Sequence, residues 1–180
     1  MRITISGPPG SGKTTVAKLL AQRLGWEFVI SGNLFRDTAK RLNLSVADFG
    51  RLAEEDPKYD RMIDDAMVAT ALSKQDIVVE GRLAGHLLAR QDAHALKVYL
   101  DADPEVRAKR ICEREADDPS KVMREMLERE TCEAKRYAQY YDIDLNDRSV
   151  YDLVVDTTDN PPEKVVEIIL EKAEGWKRRR

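Results

Sequence analysis

The chain has little with which to build a disulfide framework or a metal cage. Its two cysteines, Cys112 and Cys132, are far apart in sequence. They lack metal-type or redox spacing and fall in helical patterns, as ordinary reduced thiols do. The two histidines, His86 and His94, have no metal-type partners and are expected to be structural or exposed. No apolar run approaches the roughly 20 residues that cross a bilayer, and the N-terminus carries no signal-peptide pattern. The expected compartment is therefore the cytoplasm, with no membrane partner. A net charge of −3 gives no global attraction to nucleic acid. The terminal Lys177-Arg178-Arg179-Arg180 is the one basic run. It reads as a solvated end, with a nucleic-acid or subunit contact as the alternative. At 180 residues, 42% hydrophobic and 35% charged, the chain suits a single domain with a modest core and a solvated surface. No exposed apolar surface is obvious, so a monomer is expected.

What is present begins at residue 7. Gly7-Pro8-Pro9-Gly10-Ser11-Gly12-Lys13-Thr14 is a complete G-x-x-x-x-G-K-T phosphate-binding loop. Ile3 and Ile5 make a short strand running into it. Val16, Ala17, Leu19, Leu20 and Leu24 follow at helical spacing. Strand, glycine-rich turn and helix in that order are the setting the motif needs. Gly7, Gly10 and Gly12 let the backbone curl so that successive N–H groups face an anion. The helix N-terminus adds partial positive charge, and Lys13 adds a full one for the β- and γ-phosphates. Thr14 offers a hydroxyl to Mg²⁺, and Thr15 closes the loop segment.

Strand and helix patterns then alternate. Glu27-Phe28-Val29-Ile30 is a second strand, followed by a helix through Leu34, Phe35 and Thr38 that closes near Asn43. Ser45-x-x-Asp48 is a capping box for a short helix. Asp56-Pro57 opens a longer one with Met62, Ile63, Ala66 and Met67 on its buried side. The segments Asp76–Glu80 and Leu96–Asp101 are near-continuous apolar strands, as suits strands covered on both faces. Asp103-Pro104 opens a helix to about Arg114, and a charged break follows over 115–118. A long helix then runs to about Tyr141, its stripe formed by Val122, Met126, Leu127, Ala134, Tyr137 and Tyr141. Leu153–Asp156 is the last strand. Asn160-Pro161-Pro162-Glu163 caps a final helix that buries Val165, Val166, Ile169 and Ala173.

Five short strands separated by helices predict an α/β three-layer sandwich, a parallel sheet with helices on both faces. Ligands in such folds sit beyond the carboxyl ends of the strands. Lys13, Ser31, Glu80, Arg82 and Asp101 all fall there. The phosphate loop alone means nucleotide, not reaction. The chain has no room for a second ATPase domain, and no N-K-x-D segment reads guanine. Arginines discriminate further. Arg36 and Arg82 follow strand ends. Arg107, Arg110 and Arg114 share one helix, and Arg129 and Arg136 the next, a hinged pair of the kind that forms a lid. Two unit charges at ~4 Å repel by ~4 kcal/mol at an effective dielectric of about 20. Joining two phosphorylated molecules therefore needs such cations, although any single arginine on a charged helix is commonly just solvated.

Several segments together resemble nucleoside monophosphate kinases, most closely the compact archaeal type of cytidylate kinase. They are G-P-P-G-S-G-K-T-T at 7–15, S-G-N-L-F-R at 31–36, V-V-E-G-R-L-A-G at 78–85, V-R-A-K-R-I-C-E-R at 106–114 and E-R-E-T-C-E-A-K-R-Y at 128–137, with 143–157 also fitting. The resemblance is nearly end to end. It implies sheet order 2-3-1-4-5 and one kinase domain over 1–180. Its core would be 1–30, 76–104 and 143–180, its monophosphate-binding helices 31–75 and its lid 105–142. It also implies that residues 7–15 hold ATP, with Thr14 and Glu80 serving Mg²⁺ and Asp101 the rival from pattern alone. Ser31, Arg36 and Arg82 would bind the acceptor, CMP or dCMP. Arg110 would pack on the adenine and Arg114 reach the transferred group, while Arg129 and Arg136 close over the phosphates with Glu133 between them. Two departures leave base recognition unmapped. The chain lacks the insert bacterial relatives use to read the base, and it has Arg82-Leu83-Ala84-Gly85 where they show R-D-M-G. Ser31, Asp37, Asp60, Arg61 and Asp64 are candidates by location. A kinase for AMP, UMP or a small metabolite, or a non-catalytic ATP-binding factor of the same fold, remains an alternative.

Overall fold

Apolar runs too short to be helices pair side by side in the computed structural model, which describes residues 1–115 and 118–177. The middle of the charged break and the last three residues of the basic tail lie outside them. Strands β1 (Arg2–Ser6), β2 (Glu27–Ile30), β3 (Ile77–Glu80), β4 (Ala95–Asp101) and β5 (Leu153–Asp156) form one parallel sheet in the expected order β2-β3-β1-β4-β5. Register brings the carboxyl ends level. Glu80 lies beside both Ile5 and Ile30, and Asp101 beside Asp156. Whatever follows each strand therefore gathers along one edge.

The two faces of the sheet are covered separately. Ile3, Ile5, Val78 and Val98 pack against α1 (Lys13–Leu24) and α8 (Pro162–Lys177), where Val16, Leu20, Val165 and Ile169 are buried as expected. Ile77 and Val79 point the other way, toward α4 (Pro57–Ser73), α5 (Ala84–Arg90) and the C-terminal part of α7 (Pro119–Tyr141). Each such side chain contributes ~1.5–3 kcal/mol through burial. Helix α5 is only two turns long and buried through Ala84, Gly85, Leu87 and Leu88, so it shows no amphipathic stripe in the sequence. The remaining helices are α2 (Ser31–Arg41), α3 (Val46–Glu55) and α6 (Pro104–Glu115). No helix among the described residues is long and apolar enough to cross a membrane.

Caps work where the sequence places them. Ser45 Oγ accepts from Asp48 N at 3.0 Å, and Asp56 accepts from Lys58 N at 2.9 Å just before Pro57. Asn160 differs. Its amide donates to Asp156 O at 2.8 Å, tying the turn back to β5, while Pro161 O starts the ladder of α8.

Two buried stripes differ from the apolar pattern in an informative way. On α4, Met62 and Ala66 face solvent, and the inward positions are Asp60, Ile63, Met67 and Ala71. On α7, Leu127 is exposed, Ala134 is half-buried, and Glu133 joins Val122, Met126 and Tyr137 inside. Both helices have turned acidic residues toward each other, which hydrophobic periodicity cannot anticipate. The rotation is testable by stability. Met67→Ala should cost ~2–5 kcal/mol and Met62→Ala within ~0.5 kcal/mol of zero, read by urea unfolding. Equal costs would reject the assigned face.

Candidate active site

The loop after β1 holds its shape through backbone that only glycine tolerates. Gly7 has φ 145°, and a Cβ there would stand 2.1 Å from Leu100 O. Gly10 has φ 77°, and its Cβ would meet Arg107 O at 2.6 Å. Inside the curl, Lys13 Nζ donates to Pro8 O at 2.7 Å, the same carbonyl that accepts from Ser11 Oγ at 2.9 Å. Burial pushes the Lys13 ammonium down to about 8, with Glu80 pulling it up and Arg82 pushing it further down. An ammonium held this way gains from any anion that replaces the carbonyl. Lys13 also opens α1, whose N-terminus favours the same ligand.

Arg107 and Arg110 brace this loop from α6. Arg107 is buried; its Nε donates to Ala102 O at 3.0 Å, and its Nη1 donates to Pro9 O at 3.2 Å and pairs with Glu130 of α7. Arg110 Nη1 donates to Thr157 Oγ1 at 3.0 Å and Nη2 to Thr157 O at 2.6 Å, while Thr157 Oγ1 reaches Ser11 O at 3.1 Å. Sequence reasoning named Arg107 without giving it a role. Its i, i+3 relation to Arg110 was the only signal, and burial was not visible in it.

At the end of β3, Glu80 is buried, and its Oε2 accepts from Thr14 Oγ1 at 3.1 Å. Asp101, the rival, accepts instead from the amide of Ala102 at 3.0 Å. A hydroxyl beside a carboxylate at the mouth of a phosphate loop is a hard-oxygen pair of the kind Mg²⁺ takes. No group of three or more His, Cys, Asp or Glu able to hold a metal occurs among the described residues. These two donors therefore suit a cation whose remaining ligands are phosphate oxygens and water.

A cavity of about 540 Å³ opens beside the loop, walled by α2, α3, α4 and α7. Arg82 stands where the two spaces meet. Its Nη1 donates to Gly7 O at 3.0 Å, and its Nη2 pairs with Glu133 in the cavity wall. Arg82 is placed there by Gly81, which packs tightly on Met67 and Ser31. Glu133 also accepts from Arg129 Nε at 2.8 Å. Burial opposes its charge, but the two guanidiniums hold its carboxyl below the usual carboxylate range. One turn further along α7, Arg136 Nε lies 2.6 Å from Asp60 Oδ2. Arg36 also lines the cavity, held by Asn33 Oδ1 at 2.6 Å.

Of the residues singled out by sequence, the structure brings Lys13, Thr14, Glu80 and Arg82 together, with Ser31, Arg36, Arg129 and Arg136 around the adjoining cavity. Arg114 is not among them. It sits in the last turn of α6 with 68% of its side chain exposed, paired with Glu115, its chain neighbour. Thr15 faces solvent in the first turn of α1. Among the base-reading candidates, Ser31, Asp60 and Asp64 line the cavity. Asp37 is exposed, and Arg61 reaches out to Tyr140 O at 3.5 Å. His86 packs edge-on against Tyr151, and His94 stacks near Trp176 at 3.8 Å, both away from the cavity.

Residues 3–137 match a family described as an AAA domain. The chain is 44% identical over 174 residues to a protein of Archaeoglobus fulgidus named cytidylate kinase, covering 97% of this chain and 95% of that one. It is 50% identical over 157 residues to a protein of the same name from Methanothrix thermoacetophila, covering 87% and 88%. Among solved structures, the shikimate kinase of Aquifex aeolicus aligns over 97% of both chains with a TM-score of 0.62 at 24% identity. A gluconokinase of Sinorhizobium meliloti covers 98% of this chain and 91% of its own with a TM-score of 0.61 at 18% identity. Those two likenesses speak to the fold alone. Identity of 44% sustained along almost the entire length, on a sheet and phosphate loop that suit nucleotide phosphates, makes the chain a member of the cytidylate kinase family.

Proposed function

We propose that the protein transfers the γ-phosphoryl group of ATP to CMP or dCMP, giving ADP and CDP or dCDP. One observation carries the reading: Arg82 bridges the phosphate loop and the wall of the neighbouring cavity through its two amino groups. A guanidinium at that seam can serve donor and acceptor phosphates together. The name shared by the archaeal relatives supports cytosine as the base.

In this reading the N–H groups of residues 7–15 and Lys13 hold the ATP phosphates. Thr14 and Glu80 hold Mg²⁺, which when bound offsets charge on the β- and γ-oxygens. Arg36 and Arg82 take the acceptor phosphate, with Ser31 beside them, and Arg129 and Arg136 close over the phosphates. The acceptor oxygen is already anionic near neutral pH, so no strong general base is required. The residues act by in-line positioning, charge neutralisation and exclusion of water. Helices over 31–75 bind the monophosphate, and those over 105–142 act as the lid. Arg110 and Arg114 reach the nucleotides as that lid closes. The partners are small molecules, with no nucleic acid or membrane, and the enzyme works as a cytoplasmic monomer.

A panel of acceptors tested by coupled ADP release should rank CMP and dCMP above UMP, AMP, shikimate and gluconate. ADP formation indifferent to every acceptor would reject the proposal. Arg82→Ala should lower kcat/KM for CMP by ~10²–10³-fold, far more than it weakens ATP binding; an unchanged kcat/KM for CMP would remove it from the acceptor site. Lys13 must carry its proton to attract phosphate, and its value of about 8 in the free protein sets where that is lost. The free-enzyme parameter kcat/KM for ATP should therefore fall above about pH 8. A profile flat to about pH 9.5 would mean that the Lys13 ammonium is not lowered by burial and keeps its ordinary value.

A further inference from the structure

The cavity changes character along its length. Helix α7 runs beside it, and the partners of that helix go from cationic to acidic. Glu133 meets Arg82, Arg136 meets Asp60, and the Tyr141 hydroxyl donates to Asp64 Oδ2 at 2.6 Å. From 133 to 141 is about 12 Å along a helix axis. The end next to the phosphate loop thus presents guanidinium, and the far end presents two carboxyls one turn apart on α4. Phe35, Ile63 and Tyr137 supply apolar and aromatic wall. A nucleoside monophosphate with its phosphate on Arg82 would have that wall for its base and Asp60 and Asp64 at the base edge.

Asp60 is buried, yet neither its Oδ2 nor Arg136 Nε makes an aligned hydrogen bond, although the two atoms are 2.6 Å apart. A carboxylate has about four acceptor positions, so an ion pair through one oxygen leaves others for the donors of a ligand.

We propose that Asp60 and Asp64 read the base edge of the acceptor nucleotide and select cytosine over uracil. The inference rests on the reading that the acceptor is a nucleoside monophosphate. Cytosine presents its 4-amino donor beside the N3 acceptor, whereas uracil presents an O4 acceptor beside an N3–H donor. Asp60 accepts from the amino group, as carboxylates do from cytosine N4. Asp64 uses Oδ2 for the Tyr141 hydroxyl, which leaves Oδ1 to carry a proton toward N3. Burial pushes the Asp64 carboxyl up to about 7; the Tyr141 hydrogen bond opposes this, Asp60 and Asp65 add to it, and Arg136 again opposes. Glu54 on α3 and Glu125, Glu128 and Glu133 on α7 are the other acids lining the same cavity. Uracil in this position sets O4 against the Asp60 carboxylate, and its N3–H is accepted only if Asp64 gives up its proton. Adenine carries the same amino-and-acceptor pair on a larger ring, so AMP probes the width of the wall rather than the acids.

Calorimetric titration of CMP and UMP into the full-length protein without ATP reads the selection independently of turnover. Wild type should bind CMP at least about 10-fold more tightly than UMP. Asp60→Asn and Asp64→Ala, each checked for folding by circular dichroism and melting, should shrink that ratio about 10-fold or more, while ATP affinity stays within about 2-fold. Tyr141→Phe, which frees Asp64 to turn, should shrink it less. Should Asp60→Asn fail to fold for want of the Arg136 pair, Asp64→Ala decides, with Asp64→Asn expected to hold the wild-type ratio because its amide keeps an oxygen for Tyr141 and a donor for N3. A wild-type ratio retained in a folded Asp64→Ala protein overturns the base-reading role and leaves the kinase reading standing. Wild type that binds neither nucleotide overturns both.

Discussion

Cations must wait in place for anions that are not yet bound, and in this protein Glu133 makes that possible. It sits on the buried stripe of α7 and holds both Arg82 and Arg129. Without a carboxylate between them, guanidiniums facing one cavity would repel and turn to solvent. Removing one partner of a buried pair typically costs ~3–5 kcal/mol because the other charge is left stranded. Glu80 beside Thr14 and Lys13, and Asp60 beside Arg136, repeat the device. Each acid keeps a cation or a polar donor in position.

That arrangement exists only because the parallel register levels the strand ends. Glu80 and Arg82 emerge next to the loop after β1, and Ser31 emerges beyond Ile30, the register partner of Glu80. Helices α2, α4 and α7 are then free to wall a cavity without contributing to the sheet. On the other side, Arg107 and Arg110 tie the loop to α6 and to Thr157 after β5. The phosphate loop is held between two arginine systems, Arg107 and Arg110 on the α6 side and Arg82 on the cavity side.

The places where pattern reading went astray are instructive. Met62 and Leu127 look like core residues and are 44% exposed, while Asp60 and Glu133 look like solvent residues and are buried. An apolar-stripe argument assumes that the inside is apolar. Where two helices meet across a charged cavity, the inward positions must instead suit arginine. Arg107 and Arg114 show the converse. Both lie on α6 at helical spacing with Arg110, yet one is buried against the loop and the other pairs with its own neighbour in solvent.

Local chemistry, written in the order of residues, determined the strand–loop–helix of the phosphate site, the capping of α3 and α4, and the continuous apolar strands that demand a covered parallel sheet. These depend on neighbours within a few positions, so a linear reading reaches them. Which acid meets which arginine, whether Glu80 or Asp101 faces Thr14, and how α4 and α7 turn about their axes depend on residues tens of positions apart. Only the packed helices settle them, because burial makes an unpaired charge costly and that cost is set by whatever stands opposite.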